Sequence, residues 1–164
     1  VRTYFHYLWT HKRGYQERSV IHELPAKIRS EMFYEINRSI VSKVDFLRDA
    51  SPELIEELML QLEPMIFVPG ERIFRVDEPG LALYFIHSGS VEIRGRDNAL
   101  VATLADGQFF GEMALLSDRP RGATARAASY CEVYLLRKES FHRAMKTFPE
   151  FKAHVEQIAQ SRQT

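Results

Sequence analysis

The chain has 164 residues, of which 45% are hydrophobic, and its 22 basic residues balance its 22 acidic ones. This length supports one sizeable hydrophobic core with an appendage, and no apolar run approaches the length that crosses a bilayer. A formal net charge of +0 provides no overall field that would attract nucleic acid, so we expect no nucleic-acid partner. Cys131 is the single cysteine, which excludes a disulfide within one chain, and its strand-like surroundings predict a small buried side chain. No signal-peptide pattern is present, and we expect an intracellular piece of a longer protein.

The first third of the chain predicts helices and carries no strand signal. Residues 4–12 are dense in aromatic side chains and are followed by Gly14, a plausible helix stop, and a second short helix covers 17–22. A third helix is predicted over 25–39, with one apolar stripe at spacings of four formed by Ile28, Met32, Ile36 and Ile40. The segment before Leu47 is too short for a core of its own. Its stripes must therefore bury against the rest of the chain or against another subunit.

Residues 51–62 predict the helix that leads into the rest of the fold. Ser51 is an N-cap candidate, Pro52 fits the first turn, and Glu53 adds an acid there. The buried face is predicted to consist of five apolar side chains, Leu54, Ile55, Leu58, Met59 and Leu62. We expect this helix to pack on the strands that follow it.

The middle of the chain predicts short antiparallel strands. Five candidate strands cover 65–68, 71–76, 82–88, 90–95 and 99–104, and two more cover 123–128 and 132–137. Turn signals rich in glycine, proline, asparagine and aspartate separate the first five at regular intervals, which is typical of an antiparallel roll or barrel. Strict alternation over 91–94 places Val91 and Ile93 on the inner face.

The most informative stretch lies between these strands, where residues 107–116 read GQFFGEMALL and residues 121–125 read RGATA. Gly111 opens a short apolar helix whose free N–H groups, at residues 112–114, can hold phosphate oxygens. Arg121 can add a charge-assisted bond to the same phosphate, and ionised Glu112 can accept a ribose hydroxyl. These residue types suit a cyclic phosphate sugar. Structural alternatives stay open: a turn residue at Gly111, a helix-dipole partner at Glu112, and a solvated cation on the loop rim at Arg121.

The order F-G-E followed by R-x-A-[ST] resembles the phosphate-binding cassette of cyclic nucleotide-binding domains. The resemblance implies a β-roll flanked by helices and a ligand that is cAMP or cGMP, with no catalytic residue, no metal and no cofactor. It assigns ligand contacts to eight cassette residues, Phe110, Gly111, Glu112, Met113, Ala114, Arg121, Gly122 and Ala123. The inner-face residues Ile93, Ala102 and Leu104 would line the purine, although core packing alone also accounts for them.

The C-terminal residues predict two helices that are separated at Phe148 and Pro149. On the second helix, which runs to about Gln163, Arg162 continues an apolar stripe formed by Phe151, Val155 and Ile158. Arg162 either turns outward to solvent near the helix end or serves a ligand. In the family that the cassette resembles, the last helix closes over the purine, and an arginine at the position of Arg162 touches the base.

The N-terminal helices resemble the C-linker of cyclic nucleotide-regulated channels through YLWT at 7–10 and LPAKIRSEM at 24–32. On this resemblance, the fold is α+β, with an all-α C-linker at 1–46 and a cyclic nucleotide-binding domain at 47–164. The domain is predicted to contain a first helix, a jelly-roll-like antiparallel β-roll at 65–137 with the cassette at 107–125, and closing helices at 138–163. The resemblance further implies a cation channel whose pore domain belongs to the full-length chain, a homotetramer through the C-linker, and a place at the cytoplasmic face of the membrane.

The sequence lacks the residues that other classes of function require. No P-loop, G-x-S-x-G or H-E-x-x-H motif is present, and the histidines are dispersed, at His6, His11, His22, His87, His142 and His154. A cupin-type metalloenzyme uses a similar roll, but it needs two nearby histidines with a carboxylate, and the predicted roll holds only His87. A nucleotide-responsive transcription factor would add a helix-turn-helix, and a kinase regulatory subunit a basic inhibitor-like segment. The sequence shows neither.

Ligand preference depends on Gly122. Many channel domains of this type carry threonine directly after the phosphate-binding arginine, where its hydroxyl can bond the guanine amino group, and Gly122 has no side chain to offer. We therefore expect cAMP to bind more tightly than cGMP. A shifted register would instead bring the Thr124 hydroxyl near the base.

Overall fold

The computed structural model describes residues 50–163, together with Pro25, Lys27, Ile28, Leu47 and Arg48. Apart from these few positions, the predicted linker helices before residue 47 lie outside the described residues. The elements in chain order are α1 (Pro52–Gln61), β1 (Glu63–Phe67), β2 (Arg72–Phe74), β3 (Ala82–Ser88), β4 (Val91–Arg94), β5 (Leu100–Leu104), β6 (Phe109–Phe110), α2 (Glu112–Ser117), β7 (Thr124–Ala127), β8 (Cys131–Arg137), α3 (Lys138–Thr147) and α4 (Pro149–Gln163). Among the described residues, no helix is both long enough and apolar enough to cross a membrane.

Helix α1 begins as the sequence predicts. The Ser51 hydroxyl accepts a hydrogen bond from the Leu54 N–H at 3.3 Å, which satisfies one of the free N–H groups at the helix start. The same hydroxyl donates to Glu150 at 2.7 Å and so connects the start of α1 to the first turn of α4. All five predicted apolar side chains of this helix are buried, which confirms the predicted packing face.

The strands form two antiparallel sheets, with strand order β1-β8-β3-β6 in the first and β2-β7-β4-β5 in the second. This arrangement confirms the predicted antiparallel roll. Strand β3 lies inside the first sheet and is buried from Ala82 to Ile86, because helices cover one face of the sheet and the second sheet covers the other. Cys131, at the start of β8, is fully buried as predicted.

Two hydrophobic clusters follow from the alternation of side chains along these strands. Leu83, Phe85 and Leu136 belong to the cluster beneath the helices, which also includes Phe141 of α3 and Phe151 of α4. The cluster between the sheets is formed by Phe67, Phe74, Ala82, Tyr84, Ile86, Val91, Leu104, Phe110, Ala125, Ala127, Cys131 and Val133, with Ile93 partly buried against it. The predicted inner-face placement of Val91 and Ile93 is therefore confirmed.

Strand ends lie within two residues of the predicted bounds, and one strand was not predicted. Strand β6 contains only Phe109 and Phe110, which pair with Phe85 and Tyr84 of β3. A pattern of alternation needs about four residues, so a strand of this length leaves no readable signal in the sequence. Strand β6 matters for the site, because it fixes the cassette backbone directly before Gly111.

The C-terminal helices pack on each other and on the first sheet. Helix α3 ends at Thr147, and the Phe148 N–H donates to the Ala144 carbonyl at 2.8 Å before Pro149 starts α4. The rings of Phe141 and Phe151 meet edge to face, with centroids 5.9 Å apart. Phe151, Val155 and Ala159 are buried, so α4 lies against the domain along most of its length.

Candidate functional site

Gly111 joins β6 to α2 in the left-handed conformation, with φ at 91°. A Cβ atom at this position would lie 2.9 Å from Arg121 Nη1 and 3.2 Å from the Ala82 carbonyl oxygen. Both the backbone angle and the lack of space therefore require glycine here. Gly111 is thus a turn residue, as one alternative held. The turn also leaves room for the Arg121 guanidinium to approach the backbone.

Arg121 is buried, with 3% of its surface exposed. Its Nη1 donates to the Gly111 carbonyl at 2.6 Å, and its Nη2 donates to the Ala82 carbonyl at 2.7 Å. Its Cζ lies 4.0 Å from the centroid of the Phe74 ring, a cation–π contact. The alternative of a solvated cation on the loop rim is therefore wrong, because Phe74 and two carbonyl groups hold the side chain under the loop.

Burial lowers the pKa of the Arg121 guanidinium, and the nearby carboxylates of Glu112 and Glu78 oppose that shift. An arginine nonetheless stays charged in proteins. Burial likewise raises the pKa of the Tyr84 phenol, so this neighbour stays neutral. The site thus holds a buried cation that donates two of its five N–H groups to protein carbonyls, while its buried Nε–H has no hydrogen-bond partner among the described residues.

The loop that carries Arg121 is fixed to the turn after β2. The Arg121 N–H donates to the Glu78 carbonyl, and the Asp77 N–H donates to the Arg121 carbonyl, both at 2.8 Å. In the same turn, the Thr124 hydroxyl accepts from the Val76 N–H at 3.0 Å, so Thr124 is committed to the backbone. Gly122 is exposed, and within the described part of the chain no atom lies within 4 Å of the place that a Cβ atom would take.

Glu112 begins α2 and is also buried, with 1% of its surface exposed. Both of its carboxylate oxygens accept from Arg162 Nη1 at 2.9 Å. Arg162 lies near the end of α4, and its Cζ stands 5.2 Å from the centroid of the Phe109 ring. We call this ion pair the lid contact. It shows that Arg162 turns toward the cassette and not outward to solvent, and that Glu112 does more than complement a helix dipole.

The remaining predicted residues surround this centre. Phe110 and Ala114 are buried, Met113 and Ala123 are half-buried, and the Phe110 ring stacks on Tyr84 with centroids 5.2 Å apart. On the second sheet, Ile93 pairs with Ala102, and Leu104 pairs with Val91. Leu104 is buried between the sheets, whereas Ala102 and Ile93 are half-buried. Their places fit the roles of both a purine wall and core packing.

Sequence reasoning missed four residues that build the site. Phe74 and Phe109 place their rings against Arg121 and Arg162, Ala82 supplies a carbonyl, and Gly80 makes room for α2. A Cβ on Gly80 would lie 2.5 Å from the Ala114 Cβ. Phe74 comes from a predicted strand that reads as ordinary core, and Phe109 comes from β6, which is too short to show a pattern, so no local signal marks either ring. Gly80 was visible only as part of a turn signal.

No metal centre competes with this site in the described part of the chain, and a separate cavity lies elsewhere on the roll. No group of three or more His, Cys, Asp or Glu side chains is placed to hold a metal ion among the described residues. A cavity of about 420 Å³ runs along β2 and is lined by Gly70, Glu71, Arg72, Ile73, Phe74, Arg75, Glu78 and Arg126. This cavity includes none of the predicted ligand-binding residues.

Comparisons with known proteins agree with this geometry. The family profile described as "Cyclic nucleotide-binding domain" matches residues 64–148, just over half of the chain. The cyclic nucleotide-gated channel rod photoreceptor subunit alpha of Gallus gallus is 31% identical over 94% of this chain and 25% of its own length. The cyclic nucleotide-gated channel alpha-2 of Bos taurus is 32% identical over 94% of this chain and 24% of its own length. The chain thus spans about a quarter of the length of these channels.

Solved structures are similar as well. The cAMP-bound structure of PfPKA-R (141-441) superposes with a TM-score of 0.73 and 26% identity, over 82% of this chain and 46% of that one. A protein kinase A regulatory subunit from Trypanosoma brucei superposes with a TM-score of 0.72 at 23% identity, over 80% of this chain and 47% of that one, a likeness that concerns the fold alone. The glycine, acid and arginine of the cassette are held together on the roll that these proteins share, and the chain belongs to the cyclic nucleotide-binding domain family.

Proposed function

We propose that this chain is the ligand-sensing and gating part of a cyclic nucleotide-regulated cation channel, at the cytoplasmic face of the membrane. It binds cAMP, and cGMP more weakly, without carrying out chemistry on the ligand. The observation that carries the proposal is the buried Arg121 beside the start of α2, with a buried Nε–H that has no partner. A buried donor without an acceptor is unfavourable, so the site is suited to an anion.

The phosphate would bind between Arg121 and the N–H groups of residues 112–114. Arg121 already donates to Gly111 and Ala82, which fixes the guanidinium before a ligand arrives and leaves three N–H groups for phosphate oxygens. Glu112 would accept a hydrogen bond from the ribose 2′-hydroxyl, and the half-buried side chains of Ile93 and Ala102 would contact the purine. No cofactor or metal is needed for this function.

The similarity to channel subunits covers 94% of the chain, whereas the family profile covers only 64–148. The N-terminal residues therefore take part in the similarity to channels, and this favours the C-linker role. Nucleotide would bind more tightly when α4 is closed, and this differential affinity would bias the C-linker and a pore domain elsewhere in the full-length chain. In that setting the C-linkers of four copies would assemble as a homotetramer.

A kinase regulatory subunit is the second candidate, because the cAMP-bound PfPKA-R structure superposes on 82% of the chain. The two candidates differ in their partners. Expression of the full-length protein in membranes should give nucleotide-dependent cation currents if the channel role is right. A nucleotide-dependent release of kinase activity, without currents, would favour the other role.

The binding function itself can be tested by calorimetric titration of this chain with cAMP and cGMP. We expect one site per chain with both nucleotides, and tighter binding of cAMP. If neither nucleotide binds to the folded protein, the proposed function is wrong whichever partner the full-length chain has.

Gly122→Thr should strengthen cGMP binding and leave cAMP binding nearly unchanged. The added hydroxyl can accept a hydrogen bond from the guanine amino group, and one such hydrogen bond contributes about 0.5 to 1.5 kcal/mol. The substitution has room, because no atom lies within 4 Å of a Cβ at this position. Titrations of the wild type and the variant with both nucleotides measure the shift. Tighter binding of cGMP than cAMP by the wild type would contradict the argument that Gly122 sets the preference for cAMP. Thr124 is not counted as a guanine contact in this argument, because its hydroxyl already accepts from the Val76 N–H.

Glu112→Ala should remove the discrimination between cAMP and 2′-deoxy-cAMP. In the wild type, loss of the 2′-hydroxyl should weaken binding by about 1.5 kcal/mol, because a hydrogen bond to a charged acceptor is lost. The variant has no acceptor to lose, so the two ligands should bind it about equally. Competition titrations with both ligands measure the difference. A full loss for 2′-deoxy-cAMP in the variant would show that another group holds the ribose.

A further inference from the structure

The cavity along β2, which we call the β2 cavity, lies at the edge of the second sheet and outside the cassette. Its volume of about 420 Å³ is typical of small-ligand sites, and three arginines line it, Arg72, Arg75 and Arg126. We propose that the β2 cavity binds a small soluble anion with a doubly charged phosphate group, such as a phosphate monoester or a diphosphate. This site would act independently of the cyclic nucleotide site.

A β-bulge brings two of these arginines together on the outer face of the second sheet. Side chains two residues apart on a regular strand share a face, but the register of β2 shifts between Arg72 and Phe74. Arg72 is therefore opposite Arg126 of β7, whereas Phe74 is opposite the fully buried Ala125 and lies between the sheets. Like charges directly opposite each other on antiparallel strands are unfavourable, and an anion between them removes this repulsion.

The carboxylate across from Arg126 serves another arginine. Glu92 of β4 pairs with Arg126 in the strand register, but its oxygen lies 3.9 Å from Arg126 Nη2, beyond hydrogen-bond distance. Arg94 reaches the same oxygen with its Nη2 at 2.9 Å and its Nε at 3.0 Å. The Arg126 Nε–H is buried without a hydrogen-bond partner among the described residues, although 42% of the side chain is exposed. An anion that draws this guanidinium into the β2 cavity would supply the missing acceptor.

Two carboxylates also line the β2 cavity and limit its positive charge. Glu71 accepts a hydrogen bond from the Val68 N–H at 3.0 Å, and Glu78 accepts one from the Arg75 N–H at 3.2 Å. Three guanidinium groups against two carboxylates leave one net positive charge in the lining, which favours an anion. Arginine suits phosphate in particular, because its planar fork can donate two parallel hydrogen bonds to phosphate oxygens.

The surroundings of the β2 cavity favour a soluble ligand over a lipid headgroup. Stable attachment to a membrane takes buried apolar area as well as charge attraction. The large hydrophobic side chains exposed in the described part of the chain are Ile28, Met65, Leu81, Leu100, Val101 and Tyr130, and none of them lines the β2 cavity. Vesicles that contain phosphatidic acid should therefore leave the protein in the supernatant on sedimentation. Sedimentation that is lost in Arg72→Gln would overturn the assignment to a soluble ligand.

The buried Nε–H groups of Arg121 and Arg126 provide separate reporters for the cassette and the β2 cavity, because burial protects both from exchange with water. Their signals in heteronuclear NMR spectra can be assigned with Arg121→Lys and Arg126→Lys. Sodium pyrophosphate, added to protein saturated with cAMP, should shift the Arg126 signal and leave the Arg121 signal in place. Sodium chloride at the same ionic strength controls for screening and should shift neither signal.

Calorimetric titrations with pyrophosphate, also in saturating cAMP, test the lining residues. Arg72→Gln should weaken binding about tenfold, because charge-assisted hydrogen bonds to the anion are lost. Glu78→Gln should strengthen binding about threefold, because it removes a negative charge and keeps an acceptor for the Arg75 N–H. Arg119→Gln is the matched control, since Arg119 is exposed, lies outside the β2 cavity, and should leave binding unchanged. Equal losses in Arg72→Gln and Arg119→Gln would overturn the proposal, because only overall charge would then matter.

The two reporters also separate this inference from the proposed function. A pyrophosphate-dependent shift of the Arg121 signal, with the Arg126 signal unchanged, would place the anion in the cassette and overturn the β2 cavity as a site. Absence of pyrophosphate binding to the folded protein would overturn it as well. Failure of cAMP to bind would instead count against the proposed function, and pyrophosphate added without cAMP would still test the β2 cavity through the Arg126 signal.

Discussion

Arg121→Ala should weaken cAMP binding by about 2 to 4 kcal/mol, a loss of roughly 30-fold to 1000-fold in affinity. The variant leaves the bound phosphate desolvated without its side-chain cation. In the structure, the guanidinium is already held by the Gly111 and Ala82 carbonyls and by the Phe74 ring. The wild type therefore pays little ordering entropy at this side chain when the ligand arrives, and the whole contact is lost in the variant.

The same variant should also lose stability, because two buried carbonyl groups lose their donor. Each unsatisfied group costs about 1 to 3 kcal/mol unless water replaces the donor. Binding must therefore be measured below the melting transition of the variant, as followed by circular dichroism. Arg119→Ala is the matched control, since Arg119 is exposed two residues earlier in the same loop. An Arg121→Ala protein that is folded and binds cAMP with wild-type affinity would refute the cassette assignment.

Local signals in the sequence predicted the elements well. Ser51 and Pro52 mark the start of α1 by local chemistry, and the glycine-rich turns mark the strands of the roll, because such signals depend only on neighbouring residues. The cassette was recognised for the same reason, since Gly111 and Glu112 lie in one short stretch with Arg121 close behind. Strand β6 is the exception, because two residues carry no pattern.

Contacts across the fold could not be predicted in the same way. Arg121 follows Asp118, Arg119 and Pro120, a polar loop that indicates a solvated side chain. Its burial depends on the Phe74 ring of β2 and the Ala82 carbonyl of β3, which are far away in sequence. The stripe on α4 included Arg162 but left open whether its side chain turns outward, and nothing in the stripe identified Glu112 as its partner. Periodicity specifies a face of a helix, and only the tertiary structure specifies what lies opposite that face.

The burial of Arg121 and the pairing of Arg162 with Glu112 determine the geometry of the site. Arg121 is a cation held in advance of its ligand, and Glu112 is an acceptor that the closing helix already occupies. On the proposed assignment, the phosphate subsite is preorganised because the Arg121 guanidinium is already fixed, and the ribose acceptor Glu112 contacts the last turn of α4. If Glu112 holds the ribose, nucleotide recognition and the last turn of α4 meet at one carboxylate. A coupling of this kind is what a gating domain needs, because a ligand shifts a conformational equilibrium only through its differential affinity.

Gly111→Ala should destabilise the domain by about 2 to 4 kcal/mol and weaken cAMP binding strongly. A side chain at φ 91° costs roughly 1 to 3 kcal/mol by itself. The new Cβ would also lie 2.9 Å from Arg121 Nη1, and the guanidinium cannot retreat easily because it is packed on Phe74. Displacement of Arg121 and of the start of α2 would disturb both parts of the phosphate subsite. Chemical denaturation and calorimetric titration measure the two effects.

Two other glycines allow the backbone and contact contributions to be separated. Gly70 has a similar φ of 87° but no atom within 4 Å of a Cβ position, so Gly70→Ala should show the backbone cost alone and keep wild-type affinity for cAMP. Gly122 has open space and no positive φ, so Gly122→Ala should change stability by no more than about 0.5 kcal/mol. The excess of Gly111→Ala over Gly70→Ala then measures the contact with Arg121. Equal losses of stability in these two variants, with cAMP affinity unchanged in both, would show that the cassette does not depend on the close approach of Arg121 to Gly111.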